Sequence, residues 1–248
     1  MDAVDGLAPA RARLLAAGSV CVLTGSGISV ESGLPTFRGA GGLWRTHRVE
    51  ELASPEGFAR DPRLVWTWYD ERRAVHDRAK PNAGHLALAK LERRVADFTL
   101  ATQNVDSLHL RAGSQNVLEL HGHLREARCD RCGARRPLEG PFPLDEIEHA
   151  CGGRFRPDIV WFGEGLPAAL WSAAIEAVAR ADVVIAVGTS GVVQPAASLF
   201  THLVGSQTFT IEVNPETSAL SPHADIVLYG TAASVLPRLV ETERGKDG

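Results

Sequence analysis

The chain has 248 residues, with 26 Lys and Arg against 30 Asp and Glu and a formal net charge of −4. That length holds one well-buried domain with a smaller appendage, and the slight acidity argues against nucleic acid as a direct ligand. No apolar run approaches the roughly 18 to 20 residues that span a bilayer, and the start, Met1-Asp2-Ala3-Val4-Asp5, lacks an export signal; no membrane association and a cytoplasmic location are expected.

Short apolar runs bounded by glycine or polar residues recur at 20–23, 97–102, 117–120, 182–187, 208–213 and 226–228, several of them separated by helical stretches. This alternation predicts an α/β fold, a Rossmann-like parallel sheet with helices on both faces and ligands at the carboxyl ends of the strands. Cys21 falls inside the first run and reads as a core thiol. Directly after that run, Gly25 and Gly27 permit a tight turn whose amides can approach a pyrophosphate. The usual dinucleotide fingerprint is incomplete: Val30 stands where its third glycine belongs, and no acid ends a second strand about twenty residues later, which disfavours a hydride-transferring enzyme.

Residues 40–80 read as a helical insertion, with Asp61 capping a helix that begins at Pro62 and stops near Pro81. Tyr69 and Arg72, three apart, share a face of that helix, and Arg73 is also at helical spacing from Tyr69. A phenol and a guanidinium fork together suit a carboxylate. At the next strand end, Gln103, Asn104 and Asp106 place amides and a carboxylate near His121, an imidazole able to accept a proton near neutral pH. His123, two residues on, faces the opposite way in a strand and is assigned a structural role, while His85 and His109 are expected to cap or pack. Residues 125–156, rich in Cys, Arg, Gly and Pro, suggest a small metal-stabilised lobe around Cys129, Cys132 and Cys151.

Gly25-Ser26-Gly27-Ile28-Ser29, Pro35-Thr36-Phe37-Arg38-Gly39, Thr102-Gln103-Asn104-Val105-Asp106 with His121-Gly122, and Gly188-Thr189-Ser190 occur in the order found in the sirtuins, which the chain resembles from about Val20 to Pro237. The resemblance implies an NAD-dependent protein lysine deacylase. Its fold would join a discontinuous Rossmann-like NAD-binding domain (1–39, 81–124 and 157–248) to a small lobe formed by a helical module (40–80) and a zinc-ribbon-like module (125–156). By the same resemblance Gly25, Ser26, Gly27, Thr36, Phe37, Arg38 and Trp44 belong to the cofactor loop, Ser26 standing where relatives usually have alanine. Gly188, Thr189, Ser190, Asn214, Pro215, Glu216 and the backbone near Gly230 and Ala232 would hold ADP-ribose. Gln103, Asn104 and Asp106 would hold ribose and the nicotinamide carboxamide, with His121 as general base.

The acyl-lysine would lie along Val160, Phe162, Gly163 and Glu164 on one side and Val193 with Gln194 on the other, in a strand-addition mode. Tyr69 and Arg72, with the small Ala40, match the branch of sirtuins that removes succinyl and malonyl groups. The products implied are nicotinamide, O-acyl-ADP-ribose and free lysine, and the partners are acyl-lysine proteins or peptides met by a monomer. A plain deacetylase, a mono-ADP-ribosyltransferase and a catalytically silent NAD or ADP-ribose sensor are the alternatives. The zinc ribbon departs from the family pattern because its fourth cysteine is missing. His149 or Glu148 is then the candidate fourth ligand, the other outcome being a metal-free lobe with the same structural role.

Overall fold

The computed structural model describes residues 6–36 and 52–241. Nine strands follow in chain order: β1 Ser19–Thr24, β2 Asp97–Thr102, β3 Val117–Glu119, β4 Gly122–Cys129, β5 Arg135–Pro137, β6 Phe155–Ile159, β7 Val183–Val187, β8 Phe209–Asn214 and β9 Ile226–Tyr229. Five longer helices accompany them: α1 Leu7–Ala16, α2 Pro62–Arg78, α3 Ala83–Glu92, α4 Ala168–Arg180 and α5 Ala232–Leu239. All six predicted strands fall in one sheet of order β3-β2-β1-β7-β8-β9, every neighbouring pair parallel. Parallel strands need crossovers on the sheet faces, so both faces are covered and β7 is apolar and buried at every position.

The two faces make separate cores. Val20, Val22, Ile185 and Ile211 pack with Leu14, Leu88 and Leu236, which come from α1, α3 and α5. Cys21, Leu23, Val184 and Ala186 pack with Ala174 and Val178 of α4 on the opposite face. The period of two along each strand makes this division. It also buries Cys21 as the sequence predicts; burial pushes its thiol up to about 12.

Capping explains the helical insertion. Asp61 Oδ1 accepts the Leu64 N–H at 2.9 Å with Pro62 in the first turn, and α2 ends at Arg78, three residues before Pro81. The segment predicted as a metal lobe forms a second, antiparallel sheet of order β5-β4-β6. Gly122 opens β4 at φ +77, where a Cβ would stand 2.0 Å from the Asp158 carbonyl oxygen. Only glycine permits that approach, and it leaves His121 beside β6, its carbonyl accepting from Val160 at 2.9 Å.

The chain leaves β1 in one direction for β2 and β3 and resumes on its other side at β7, so the topological switch lies between β1 and β7. Ladder hydrogen bonds run one residue past the strand ends: Gly25 donates to Val187, Gln103 to Thr24, Gly188 to Val213 and Gly230 to Asn214. Four loops, those after β1, β2, β7 and β9, are thereby set along one rim. At the switch the backbones nearly touch. A Cβ on Gly27 would lie 2.7 Å from Gly188 Cα, and one on Gly188, at φ +57, would lie 2.5 Å from Ile28 N. Gly188→Ala combines that collision with a left-handed backbone and should cost about 2 kcal/mol or more. Calorimetry should record a thermal midpoint lowered by about 4–8 °C; an unchanged midpoint would mean that the two loops can move apart without cost.

Candidate active site and metal centre

A cleft of about 690 Å³ opens over the switch point. Its floor is Gly25, Ser26 and Gly27 against Gly188, Thr189 and Ser190, and Thr36 also lines it. Asn214, Pro215 and Glu216 wall the β8 end; Gln103, Asn104 and His121 stand at the β2 end. Val160, Phe162, Gly163 and Glu164 face Val193 and Gln194 across the mouth. Tyr69 and Arg72 reach in from α2. One cavity therefore collects residues spread over nearly two hundred positions. Phe37, Arg38, Ala40 and Trp44 lie outside the described residues.

Two predicted residues sit elsewhere. Ala232 is 4 % exposed and belongs to the core beneath α5, because it is the first residue inside that helix; the preceding Thr231 lines the cleft instead. Asp106 borders a small recess beside the cleft, shared with Ser26, Ser29, Asn104, Arg72 and His76. Its Oδ2 accepts from Ser29 Oγ at 2.7 Å and its Oδ1 from Leu108 N at 2.9 Å. Burial raises its carboxyl above the usual range, against the pull of those two donors. Asn104 joins recess and cleft, its amide donating to the Gly25 carbonyl at 3.1 Å while its backbone N–H is held by Thr102 Oγ1 at 3.0 Å.

His121 Nδ1 lies 3.0 Å from the Gln103 carbonyl. A carbonyl only accepts, so Nδ1 carries the proton and Nε2 keeps its lone pair. Burial lowers the imidazole below its ordinary pKa, although the Gln103 carbonyl pulls it up. His123 does not line the cleft; it lies on β4 with Glu126 at 3.9 Å. Glu126 and Asp158 beside it are engaged by Arg135 at 3.0 and 2.7 Å, and Asp158 also by Arg128 at 3.1 Å, which makes that cluster an ion-pair knot. His85 and His109 pack beneath the rim as expected, His85 accepting from Asn82 N and His109 meeting Thr24 Oγ1 at 3.0 Å.

The choice between Arg72 and Arg73 is settled by partners. Arg73 turns away to Asp70 and to the Gly140 carbonyl. Arg72 stacks 4.5 Å over the Trp68 ring, and burial lowers its pKa only to about 10, so it stays cationic at neutral pH. Tyr69 Oη accepts the indole N–H of Trp161 at 2.9 Å. Trp68 and Trp161 were not among the predicted site residues. Trp68 stands one helical turn before Arg72, a spacing that could have marked it; the Trp161 contact joins residues 92 apart and has no local signal.

Cys129, Cys132, Cys151 and His149 bring four donor atoms within 4.8 Å of one another. Cys129 Sγ is 3.5 Å from Cys151 Sγ, and His149 Nδ1 is 3.1 Å from Cys151 Sγ and 3.6 Å from Cys132 Sγ. The edge of a tetrahedron with zinc–sulfur bonds is about 3.8 Å, so three thiolates and one imidazole fit a closed structural zinc site. Glu148 is exposed and outside this group, its backbone bridging Arg154. The cluster lies at the opposite end of β4 from His121 and none of its four residues lines the cleft, so it would brace the lobe without touching the cleft.

A parallel sheet opening a glycine-floored cleft at its switch point, joined to a cysteine-rich antiparallel lobe, defines a dinucleotide-binding α/β protein of two unequal parts. The chain belongs to the Sir2 family, whose model matches residues 25–195. It is 51 % identical over 234 residues to the NAD-dependent protein deacylase 2 of Pyrobaculum aerophilum, covering 93 % of each chain. A solved complex of a Sir2 homologue with NAD superposes with a TM-score of 0.86 at 45 % identity, covering 94 % of this chain and 92 % of the other. A second solved Sir2 protein, with a deacetylated p53 peptide and 3′-O-acetyl ADP-ribose, gives 0.83 at 31 % identity over 94 % and 96 %.

If His149 completes the metal centre, His149→Ala should weaken zinc retention about 100-fold, one quarter of a total near 12 kcal/mol. Glu148→Ala should leave it unchanged. Competition with a colorimetric chelator measures both, and the reverse order would reassign the ligand.

Proposed function

We propose that this NAD-dependent protein deacylase of the Sir2 family acts on acyl-lysine in proteins or peptides and prefers acidic acyl groups, succinyl and malonyl, over acetyl. The products are nicotinamide, O-acyl-ADP-ribose and free lysine. The observation that carries the acidic preference is the pocket end formed by Trp68, Tyr69, Arg72 and Trp161. Arg72 supplies a positive charge set over the Trp68 indole. Trp161 fills the acceptor side of the Tyr69 hydroxyl, and among the described residues the phenol's own hydrogen meets no acceptor. Burial keeps that phenol protonated, its pKa pushed up to about 12 against the pull of Arg72 and Trp161. A carboxylate at this end would accept from the phenol and meet a positive charge; an acetyl methyl offers neither an acceptor nor a negative charge.

When bound, NAD supplies an anomeric carbon from which nicotinamide can leave. Gly25, Ser26, Gly27 and Thr36 form one side of its site, with Gly188, Thr189 and Ser190 opposite. Asn214, Pro215, Glu216 and the backbone near Ala232 take the ADP-ribose end. Gln103, Asn104 and Asp106 hold the nicotinamide ribose and its carboxamide; by the family resemblance Phe37, Arg38 and Trp44 belong to the same cofactor loop. His121 Nε2 takes the proton of a ribose hydroxyl, because the Gln103 carbonyl keeps the other nitrogen protonated. Val160, Phe162, Gly163 and Glu164 with Val193 receive the peptide as an added strand; by the family resemblance Ala40 is the small residue that goes with longer acyl chains.

Matched succinyl-, malonyl- and acetyl-lysine peptides, turned over with NAD and followed by mass spectrometry, test the preference. Arg72→Met should lower kcat/KM for succinyl about 10- to 150-fold and leave acetyl turnover in place. Trp161→Phe, which keeps the ring and removes the N–H, should lower it about tenfold in the same selective way. Equal wild-type rates on the three peptides would reduce the reading to a plain deacetylase.

The base makes a separate prediction. Only the neutral imidazole accepts a proton, and burial sets its pKa below the ordinary 6.5. Activity should therefore hold as the pH falls through 6.5 and decline only below it. His121→Ala should retain NAD affinity while turnover falls by about 10²- to 10⁴-fold. A variant still active within a few-fold of wild type would require another proton acceptor.

A further inference from the structure

We infer that Glu212 is a positioning residue for the nucleotide end of the cleft, a buried carboxylate that holds the wall formed by residues 214–219; the inference rests on that wall receiving the ADP-ribose part of NAD. Glu212 is 1 % exposed and sits inside β8, where Ile211 and Val213 on either side turn to the opposite core. No lysine or arginine pairs with it among the described residues. An unpaired carboxylate buried this deeply is retained only when donors saturate it.

All its donors come from one place. Oε1 accepts from Ser218 Oγ at 2.5 Å and from Asn214 Nδ2 at 3.3 Å, and Oε2 accepts from Ser221 Oγ at 2.6 Å. The serines are themselves locked into the turn: Ser221 Oγ accepts from Ser218 N and Ser218 Oγ from Leu220 N, both at 2.9 Å. Asn214 also donates to the Thr189 carbonyl at 3.0 Å, and Ala219 N donates to the Ser190 carbonyl at 3.2 Å. The carboxylate thus ties the loop after β8 to the loop after β7, and both loops line the cleft. If the loop opened, the charge would lose its donors. Its burial and the loop's closed position depend on each other, and charge-assisted bonds hold the loop more firmly than neutral ones would.

Glu212 does not line the cleft, so its effect must pass through the shape of the wall. Steady-state kinetics of the full chain with NAD and an acyl-lysine peptide should show Glu212→Gln raising the KM for NAD about tenfold, with kcat and the peptide KM within about twofold. Ser221→Ala, which also lies away from the cleft, should move the NAD KM in the same direction by less. The double variant should be no worse than Glu212→Gln alone, since both changes cut one network. Calorimetric titration with ADP-ribose should read the same loss without turnover. An absence of deacylation in the wild type would sink the assigned activity, while the titration still decides the role of Glu212. Unchanged ADP-ribose affinity in both single variants would overturn the inference. So would a uniform loss in which kcat, both KM values and the thermal midpoint all deteriorate, since that is what a merely structural carboxylate gives.

Discussion

The close approach of two glycine backbones at the switch between β1 and β7 is the constraint on which the site depends. Gly25 and Gly27 lie so near Gly188 that no side chain fits between them. This brings one loop from each half of the sheet to a common floor and lets main-chain groups at the glycines come close to the cleft. Such a floor can approach a diphosphate closely from both sides. The ladder bonds that continue past the strand ends then fix the β2 and β9 loops at the same height, so the rim is an extension of the sheet.

Above this floor the functional groups are oriented by hydrogen-bond direction. The Gln103 carbonyl selects the His121 tautomer, the Trp161 indole selects which way the Tyr69 hydroxyl can donate, and Thr102 with the Gly25 carbonyl orients Asn104. In each case a partner that can play only one role, donor or acceptor, determines the role left to the functional group. Burial then adjusts ionisation: it keeps His121 neutral and Tyr69 protonated while Arg72 retains its charge.

The small sheet links two kinds of support. Its strand β4 starts at Gly122, pressed on Asp158 next to His121, and ends at Cys129 within the metal-binding cluster. A zinc ion there would hold the far end of the sheet, whose near end supplies the imidazole and, through β6, the segment from Val160 to Glu164. Arg156 reinforces this segment, lying 3.4 Å over the Trp161 ring and paired with Glu164. Replacement of the missing cysteine by His149 keeps the donor count at four.

The six strands of the large sheet, the start of α2 at Pro62, the core role of Cys21 and most of the cleft lining were legible in the sequence, because alternation, capping and glycine turns are local signals. The family resemblance predicts cleft backbone near Gly230 and Ala232; the fold shows that Thr231 lines the cleft while the Ala232 side chain, first in α5, turns to the core. Arg72 and Arg73 are both at helical spacing from Tyr69, and the surface each one meets came from the fold. The same holds for His149 over Glu148, for the indole of Trp161 on Tyr69 and for the serines around Glu212. The sequence alone therefore determined which groups stand at the strand ends, since their order and spacing are covalent. The tertiary structure decided which of them share a cavity and which way each hydrogen bond points, because those follow from contacts between segments far apart in the chain.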